Sequence, residues 1–518
     1  MLSRYQSAAS ACICVIFFAV SFPPVGLSVA AFFCLVPLFW VAVSTKRRLN
    51  AFIVGLAIGF VIENFKFYWI YNVPGFGAKE GLVVGLYLAS YYAIWTFLAK
   101  CLYHRLGISK TLILVLTCAW VCLEWLLSNL SFLSFGWATI AHTQANNLLV
   151  LQVAAVFGAY GVSFVVVMFN LLIATLNFSN LAFSIQNREN FAILGILFLF
   201  VLSWGAVQLL SRTEGAETLR VGSIQPSFTR AKALSEQDPE RRLDRILKLS
   251  DSVMEYTPDL LLWPEAAVRG TSIGSQDRSV ARVFNYSRLH NIAVLFGFSS
   301  VEKASQVDAK NEGLSKPPKR FNNVLFIDPA TSEIQKYAKR KLMPFGEYQP
   351  IPIRNALFDA FLPEVVEIER GAESVIVNVN DLAKISPIIC WEVLFDGFVR
   401  KAISTEVNLV ALFNNDNWFD ISPAGEQHNS SAILRAVENG RPFIVSSNTG
   451  PTIIVDKNGR VLASSNSIYD QKIVVADVPL SAEPTFYRLF GHYFMILCGC
   501  LLAVLILYAF VFDRSENT

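Results

Sequence analysis

The sequence predicts a polytopic α-helical membrane domain of about eight transmembrane helices joined to one extracytoplasmic α/β domain. Three observations predict it. Hydrophobic residues make up 54% of the 518-residue chain against 16% charged, with 41 Phe, and a soluble fold of this size needs a more polar surface. Apolar runs of membrane-spanning length cluster before residue 212 and return after residue 487. The stretch between them is polar and punctuated by short β-rich runs.

Taken in order, the apolar segments lie at about 8–22, 25–44, 50–71, 81–104, 111–128, 150–177, 190–211 and 488–512. Crossing a hydrocarbon core of ~30 Å takes about 20 residues at ~1.5 Å each, and most of these segments suffice. The first is short, and Pro23-Pro24 with a second apolar run follow it at once, unlike a cleaved signal peptide. With the N-terminus in the cytoplasm, the inside loops carry Arg4, then Lys46, Arg47 and Arg48, then Lys100, Arg105 and Lys110, then Arg188. The outside loops before the large domain carry only Lys79. That asymmetry places residues 212–487 in the periplasm or outside the cell and returns the tail, Phe512 to Thr518, to the cytoplasm. The expected domains are therefore 1–211 (seven helices), 212–487 (catalytic) and 488–518 (last helix and tail).

In the polar domain, β-rich runs occur at Leu219–Gln225, Asp259–Trp263, Ile292–Phe298, Asn323–Asp328, Val375–Val379, Ile385–Cys390, Val407–Phe413, Phe443–Ser447, Thr452–Asp456 and Ile473–Val478. Helical periodicity appears at 236–254, 276–289 and 426–439. So many strands with few helices suggest two packed sheets. Residues 303–320 read as a solvated basic loop. The stretch Gly346 to Gly371 is long, apolar and aperiodic, as functional loops are. A net charge of +3 and the absence of an Arg/Lys stripe with interleaved aromatics give no sign of nucleic-acid binding.

Of nine cysteines, only Cys390 lies in the polar domain, which therefore has no internal disulfide and no cysteine cluster for zinc. Three segments each place a reactive side chain just after a predicted strand, the first strand ending at Pro264 with Glu265 on the turn that follows. These are Leu261-Leu262-Trp263-Pro264-Glu265, then Tyr337-Ala338-Lys339 running into Pro344-Phe345-Gly346-Glu347-Tyr348, then Pro387-Ile388-Ile389-Cys390-Trp391-Glu392. A free thiol is only a few per cent thiolate at neutral pH. A carboxylate can take its proton during attack on a carbonyl, yet alone it repels a thiolate. An ammonium beside both offsets that repulsion and holds the tetrahedral oxyanion. Glu, Lys and Cys together form a complete acyl-transfer unit.

The order P-E-A-A, K-x-x-L-x-P-F-G-E-Y and I-C-W-E resembles the nitrilase (carbon–nitrogen hydrolase) superfamily. With these spans around it, the chain is similar to the apolipoprotein N-acyltransferase branch. The resemblance implies an α-β-β-α sandwich and a Glu265–Lys339–Cys390 triad. It also implies accessory roles for Glu347, Glu392, Trp391 and Asn322, and a matching loop signature Asn415-Asp416-Asn417-Trp418-Phe419, with Trp418 facing substrate. A further signature is Arg435-Ala436-Val437-Glu438-Asn439-Gly440-Arg441-Pro442. Departures are Trp391 where the family usually has Tyr, Asn417 and Asp420 in place of small loop residues, and Leu234 about where a Trp would stand. Implied too are a bacterial inner-membrane location, a phospholipid acyl donor, a diacylglyceryl-cysteine apolipoprotein acceptor, a ping-pong thioester route, and neither a metal nor a dissociable cofactor. The arm Phe345–Val366, with Phe358 and Phe361, is expected to dip into the outer leaflet as a lid.

Plainer readings stand beside these. Cys390 could be a core thiol, Glu265 a turn residue, and Glu347 or Glu392 a structural ion-pair partner. Arg340 and Lys341 compete with Lys339, whose spacing to Leu342 and Glu347 fits the motif. His428 sits in a helical pattern and reads as core or surface. Glu63, Lys66 and Glu124 lie within apolar segments, as functional charges or, for the first two, as a local pair. At the level of function the alternatives are a membrane-tethered amidase or nitrilase for a small substrate, and a transporter or receptor with a non-catalytic domain.

Overall fold

The computed structural model describes residues 3–74, 76–176, 185–210, 217–229, 238–274, 276–302, 318–331, 333–350 and 365–511. Leu234, Phe358, Phe361, nearly all of the 303–320 loop and the tail from Phe512 lie outside the described residues. The chain forms two compact units. One comprises residues 1–72, 76–212 and 485–518; the other comprises 73–75 and 213–484.

The first unit is helical: α1 (Arg4–Ser21), α2 (Leu35–Ser44), α3 (Arg48–Lys66), α4 (Ala78–Leu106), α5 (Lys110–Asn129), α6 (Ala154–Ala174) and α7 (Ile185–Leu210). Among the described residues, six helices are long and apolar enough to cross a membrane: α3 to α7 and the last helix, Tyr493–Val511. The first two apolar stretches form shorter helices, Tyr5–Ser21 and Ser28–Ser44. Helix α3 approaches α4 through small residues: a methyl group on Gly59 would come within 2.8 Å of the Tyr92 ring. Glu63 and Glu124, the carboxylates within the apolar segments, are both hydrogen-bonded. Lys66 Nζ donates to Glu63 Oε1 at 2.8 Å, and Tyr92 donates to the same oxygen at 2.8 Å. Glu124 accepts from the Ile140 amide at 2.8 Å and from Ser163 at 2.6 Å. Satisfying each carboxylate this way offsets the high cost of charge in an apolar surrounding.

The second unit stacks two six-stranded sheets. The first contains β1 (Thr218–Gln225), β2 (Leu260–Gly270), β3 (Ala293–Glu302), β4 (Lys319–Ile327), β5 (Ile334–Ala338) and β12 (Lys472–Pro479), in the order β12-β1-β2-β3-β4-β5. The second contains β6 (Val377–Val379), β7 (Ala383–Ile389), β8 (Leu409–Asn414), β9 (Phe443–Ser447), β10 (Ile453–Val455) and β11 (Val461–Ser464), in the order β11-β10-β9-β8-β7-β6. Strands β1–β3 and β7–β9 run parallel, and the flanking strands are antiparallel. Alternation along each strand divides the core. Leu260 and Leu262 face the other sheet with Ile385, Leu409 and Ile444, while Leu261 and Trp263 face the outer helices. Those helices are α8 (Pro239–Met254) and α9 (Arg278–His290). Each begins at an aspartate whose carboxylate takes a first-turn amide: Asp238 from Glu240, Asp277 from Ser279. On the far side α11 (Ala424–Asn439) lies against β9 and β10, after the short α10 (Asp396–Ala402). The result is the expected α-β-β-α sandwich.

Two strands, β5 and β11, fall where no β-rich run was read. Each is short and completes a sheet edge, where pairing rather than composition decides. The expectation that a strand ends at Pro264 also needs correction. Strand β2 continues to Gly270, interrupted by a register shift between Trp263 and Val268. Pro264 has no amide hydrogen to donate, and Ala266 turns left-handed at φ 54°. Pairing with β3 resumes at Val268. Glu265 thus projects from a bulge held within the sheet, not from a terminal turn. The C-terminal helix α12 (Tyr493–Val511) packs on α5 in the first unit, where Cys498 meets Cys118 and Val121.

Candidate active site

Every predicted triad residue sits at a point where a strand stops or breaks. Glu265 occupies the β2 bulge, Lys339 follows β5, and Cys390 follows β7 in a left-handed conformation at φ 47°. A side chain other than glycine held there stores about 1–2 kcal/mol of backbone strain. The strain is consistent with a residue aimed by its surroundings, not by its own preference. The 3-10 turn Cys390–Leu394 begins at that point.

Around Lys339 the polar atoms converge. Its amine, 2% exposed, donates to Glu347 Oε1 at 2.7 Å and lies 3.9 Å from Glu265 Oε1. Asn322 on β4 donates to the same Glu265 oxygen at 2.6 Å, and the Asn322 carbonyl accepts from the Lys339 amide at 2.8 Å. Glu265 Oε2 is buried with no hydrogen-bond partner among the described residues. One carboxylate oxygen is therefore fixed, and the other has a lone pair available for a proton.

The electrostatics follow from burial. Burial pushes the Glu265 carboxyl up to about 7; Lys339 and the Asn322 amide pull it down, while Glu347 and Asp416 push it further up. Burial works against the Lys339 ammonium, but Glu347, Cys390 and Glu265 outweigh it and hold the amine above its ordinary range. The Cys390 thiol is held well above its ordinary range by burial and by Glu265, against the pull of Lys339. The resting constellation is a neutral thiol, a charged amine and a carboxylate poised near neutrality. That set can move a proton from sulfur to Glu265 as sulfur attacks.

The accessory residues divide. Glu347 reaches the Lys339 amine and also accepts from the Met343 amide at 2.8 Å, which fastens the Pro344–Tyr348 turn. Asn322 holds Glu265. Glu392 is a brace: its carboxylate accepts from Tyr337 Oη (2.7 Å), Ile389 N (2.8 Å), Arg340 N (2.6 Å) and Lys341 N (3.0 Å). It thereby ties the chain around Lys339 to the turn that carries Cys390. Trp391 is buried against Phe395, with ring centroids 5.6 Å apart. Trp418 stands half exposed, at 52%, on the turn Asp416–Phe419. Lys341 and Arg340, the competitors of Lys339, lie over the rings of Phe395 and Phe398.

Beside the nucleophile stands a residue that sequence reasoning placed only as core or surface. His428 on α11 is fully buried; its Nε2 is 3.2 Å from the Cys390 carbonyl oxygen and its Nδ1 3.1 Å from Asp416 Oδ1. Asp416 was legible within the Asn415–Phe419 signature. The link from helix to nucleophile has no local pattern to reveal it.

Comparison with known proteins relates both parts of the chain to known families. Residues 15–172 match the apolipoprotein N-acyltransferase N-terminal domain, and residues 220–484 match the carbon-nitrogen hydrolase family. An apolipoprotein N-acyltransferase of Geobacter metallireducens is 27% identical over 505 residues, covering 95% of this chain and 93% of the relative. One of Allorhizobium ampelinum is 27% identical over 490 residues, covering 90% and 88%. A crystal structure of an amidase from Nesterenkonia sp. aligns with 53% of this chain and 93% of its own, at 17% identity and a TM-score of 0.36. The two-sheet unit with its Glu, Lys and Cys motifs, and the match across more than half the chain, place this protein in the carbon–nitrogen hydrolase family, in a form that also carries the N-terminal domain of the apolipoprotein N-acyltransferases.

Proposed function

We propose that this protein N-acylates the N-terminal diacylglyceryl-cysteine of apolipoproteins, taking the acyl chain from a membrane phospholipid through a thioester on Cys390. In the first half-reaction Glu265 Oε2 takes the thiol proton as sulfur attacks the ester carbonyl. Lys339 and the Trp391 amide hold the oxyanion. The carbon–oxygen ester bond breaks, and Glu265 returns the proton to the departing lysophospholipid. In the second, the free α-amine of the lipoprotein attacks the thioester and gives a proton to Glu265. An amide bond forms, the carbon–sulfur bond breaks, and sulfur recovers the proton.

One observation carries this reading: a single chain joins the N-terminal domain named for this acyltransferase to a hydrolase unit whose Glu265, beside Lys339, keeps one oxygen without a hydrogen-bond partner among the described residues. The apolar helices fit substrates that are both lipid-anchored and reach a site sideways from a bilayer. The same reading sets the catalytic unit on the periplasmic side of the bacterial inner membrane, with both termini in the cytoplasm, as the loop charges require.

The test is intact mass. Purified protein incubated with phospholipid vesicles is expected to gain the mass of one acyl chain, and Cys390→Ser none that exchanges onto an amine. Addition of a diacylglyceryl-cysteine peptide is expected to discharge the wild-type adduct. A wild-type protein that stays unacylated, while hydrolysing small amides, sinks the acyltransferase reading in favour of an amidase.

A further inference from the structure

The carbonyl of Cys390 belongs to the same peptide unit as the Trp391 amide. Whatever donates to that carbonyl acts on both. His428 Nε2 approaches it at 3.2 Å, and a carbonyl oxygen only accepts, so Nε2 carries a proton. On the opposite edge Nδ1 faces Asp416 Oδ1 at 3.1 Å. The carbonyl makes Nε2 the donor, and Asp416 holds the opposite edge of the ring. A third neighbour, Asn414, places its Nδ2 3.2 Å from the same Nδ1.

Asp416 is itself anchored. Ser447, at the end of β9, donates to Asp416 Oδ2 at 3.3 Å and accepts from the Gly450 amide at 3.1 Å. Gly450 leaves room for the carboxylate, since a methyl group there would come within 2.6 Å of Asp416 Oδ2. The relay therefore starts at the end of β9, passes the turn after β8, and ends at the residue after β7, crossing the carboxyl ends of three parallel strands. His428 is 0% exposed and Asp416 5%, so the relay works in a low-dielectric setting.

We infer that His428, held by Asp416, is a positioning residue that polarises the Cys390–Trp391 peptide from its carbonyl side and so strengthens the Trp391 amide as the oxyanion donor. The same contact keeps Cys390 in its left-handed conformation. Charge drawn toward the carbonyl oxygen increases the double-bond character of the peptide and the positive charge on its N–H. The inference rests on the thiol acylation proposed above, and deepens it by naming what sets the strength of the oxyanion donor.

The test separates chemistry that develops an oxyanion from chemistry that does not. Acylation of Cys390 by a p-nitrophenyl ester, read as a stoichiometric burst of p-nitrophenolate, passes through a tetrahedral oxyanion. Alkylation by iodoacetamide needs the same thiol and the same base but makes no oxyanion. In full-length protein, His428→Gln keeps a side-chain donor and loses the imidazole contact with Asp416. It is expected to slow acylation about tenfold or more, below the ~10²–10³ for outright loss of a donor, with alkylation within about threefold of wild type. Asp416→Asn, which retains the side-chain shape, is expected to act in the same direction and serves if the histidine variant does not fold. Equal losses in both reactions, or acylation unchanged in both variants, would overturn the inference. A wild-type burst without acyl transfer from phospholipid would instead refute the proposed donor and leave this comparison intact.

Discussion

At the scale of the residue, Glu265 decides how activity depends on pH. It acts as a base only when ionised, and burial holds its carboxyl up to about 7. The rate of Cys390 acylation is therefore expected to rise with pH, with its midpoint near 7, and to level off above it. Because the thiol is held above its ordinary range, a preformed thiolate contributes little at neutral pH. Asn322 offers a way to move that midpoint. Its amide donates to Glu265 Oε1 at 2.6 Å and stabilises the charged form. A hydrogen bond to a charged group is worth about 1.5–3 kcal/mol, and one pKa unit is about 1.4 kcal/mol. Asn322→Ala is expected to shift the acidic limb upward by about one unit, measured as the pH dependence of the acylation burst. A limb that stays in place would show that Asn322 does not support the carboxylate. Motif order made Glu265, Lys339 and Cys390 legible because each lies in a short local pattern. The contact of Asn322 with Glu265 joins residues 57 positions apart, and only the neighbouring strands β2 to β4 bring them together.

At the scale of the element, the same contrast separates what composition decides from what pairing decides. Ten β-rich runs announced themselves through branched and aromatic residues, and each became a strand. The strands β5 and β11 did not, since Ile334-Gln335-Lys336-Tyr337-Ala338 and Val461-Leu462-Ala463-Ser464 each pair along one short edge only. The bulge in β2 was half visible. Pro264 signals a break in the ladder, but resumption at Val268 depends on β3, which no pattern within β2 can state. Gly297 is the partner that makes the bulge possible. A methyl group there would lie 2.3 Å from the Pro264 oxygen and 2.6 Å from Glu265 Cα, both backbone atoms that cannot swing aside. Gly297→Ala must therefore displace the bulge or the strand facing it. A destabilisation of about 1–3 kcal/mol is expected from overpacking, with acylation reduced more than the loss of folded protein explains. Thermal unfolding and the acylation burst, measured on the same preparation, separate the two. Full activity per folded molecule would mean that Glu265 tolerates movement of its support.

At the scale of the whole molecule, the composition is an average over two units that answer to different solvents. The catalytic unit can place charge at its surface, whereas the helical unit buries several of its ionisable groups and has to partner them. Sequence left Glu63 and Lys66 open between a functional role and mutual pairing, because spacing of three along a helix is compatible with both. The structure shows the pair formed, with side-chain exposures of 9% for Lys66 and 4% for Glu63, and with Tyr92 completing the carboxylate. Lys66 also lies over the rings of Phe22 and Phe67, 5.0 Å and 4.7 Å from their centroids, so its ammonium is held on several sides. Breaking such a pair from one side strands the other charge, at a cost of about 3–5 kcal/mol, whereas removing both can be neutral. Lys66→Met alone is thus expected to lower the melting temperature of the detergent-solubilised protein clearly. The double variant Glu63→Gln/Lys66→Met is expected to recover most of that loss, because the glutamine can still accept from Tyr92. A double variant no more stable than the single one would mean that Lys66 contributes through its packing against the aromatic rings, and the ion pair would then be incidental to the helical unit.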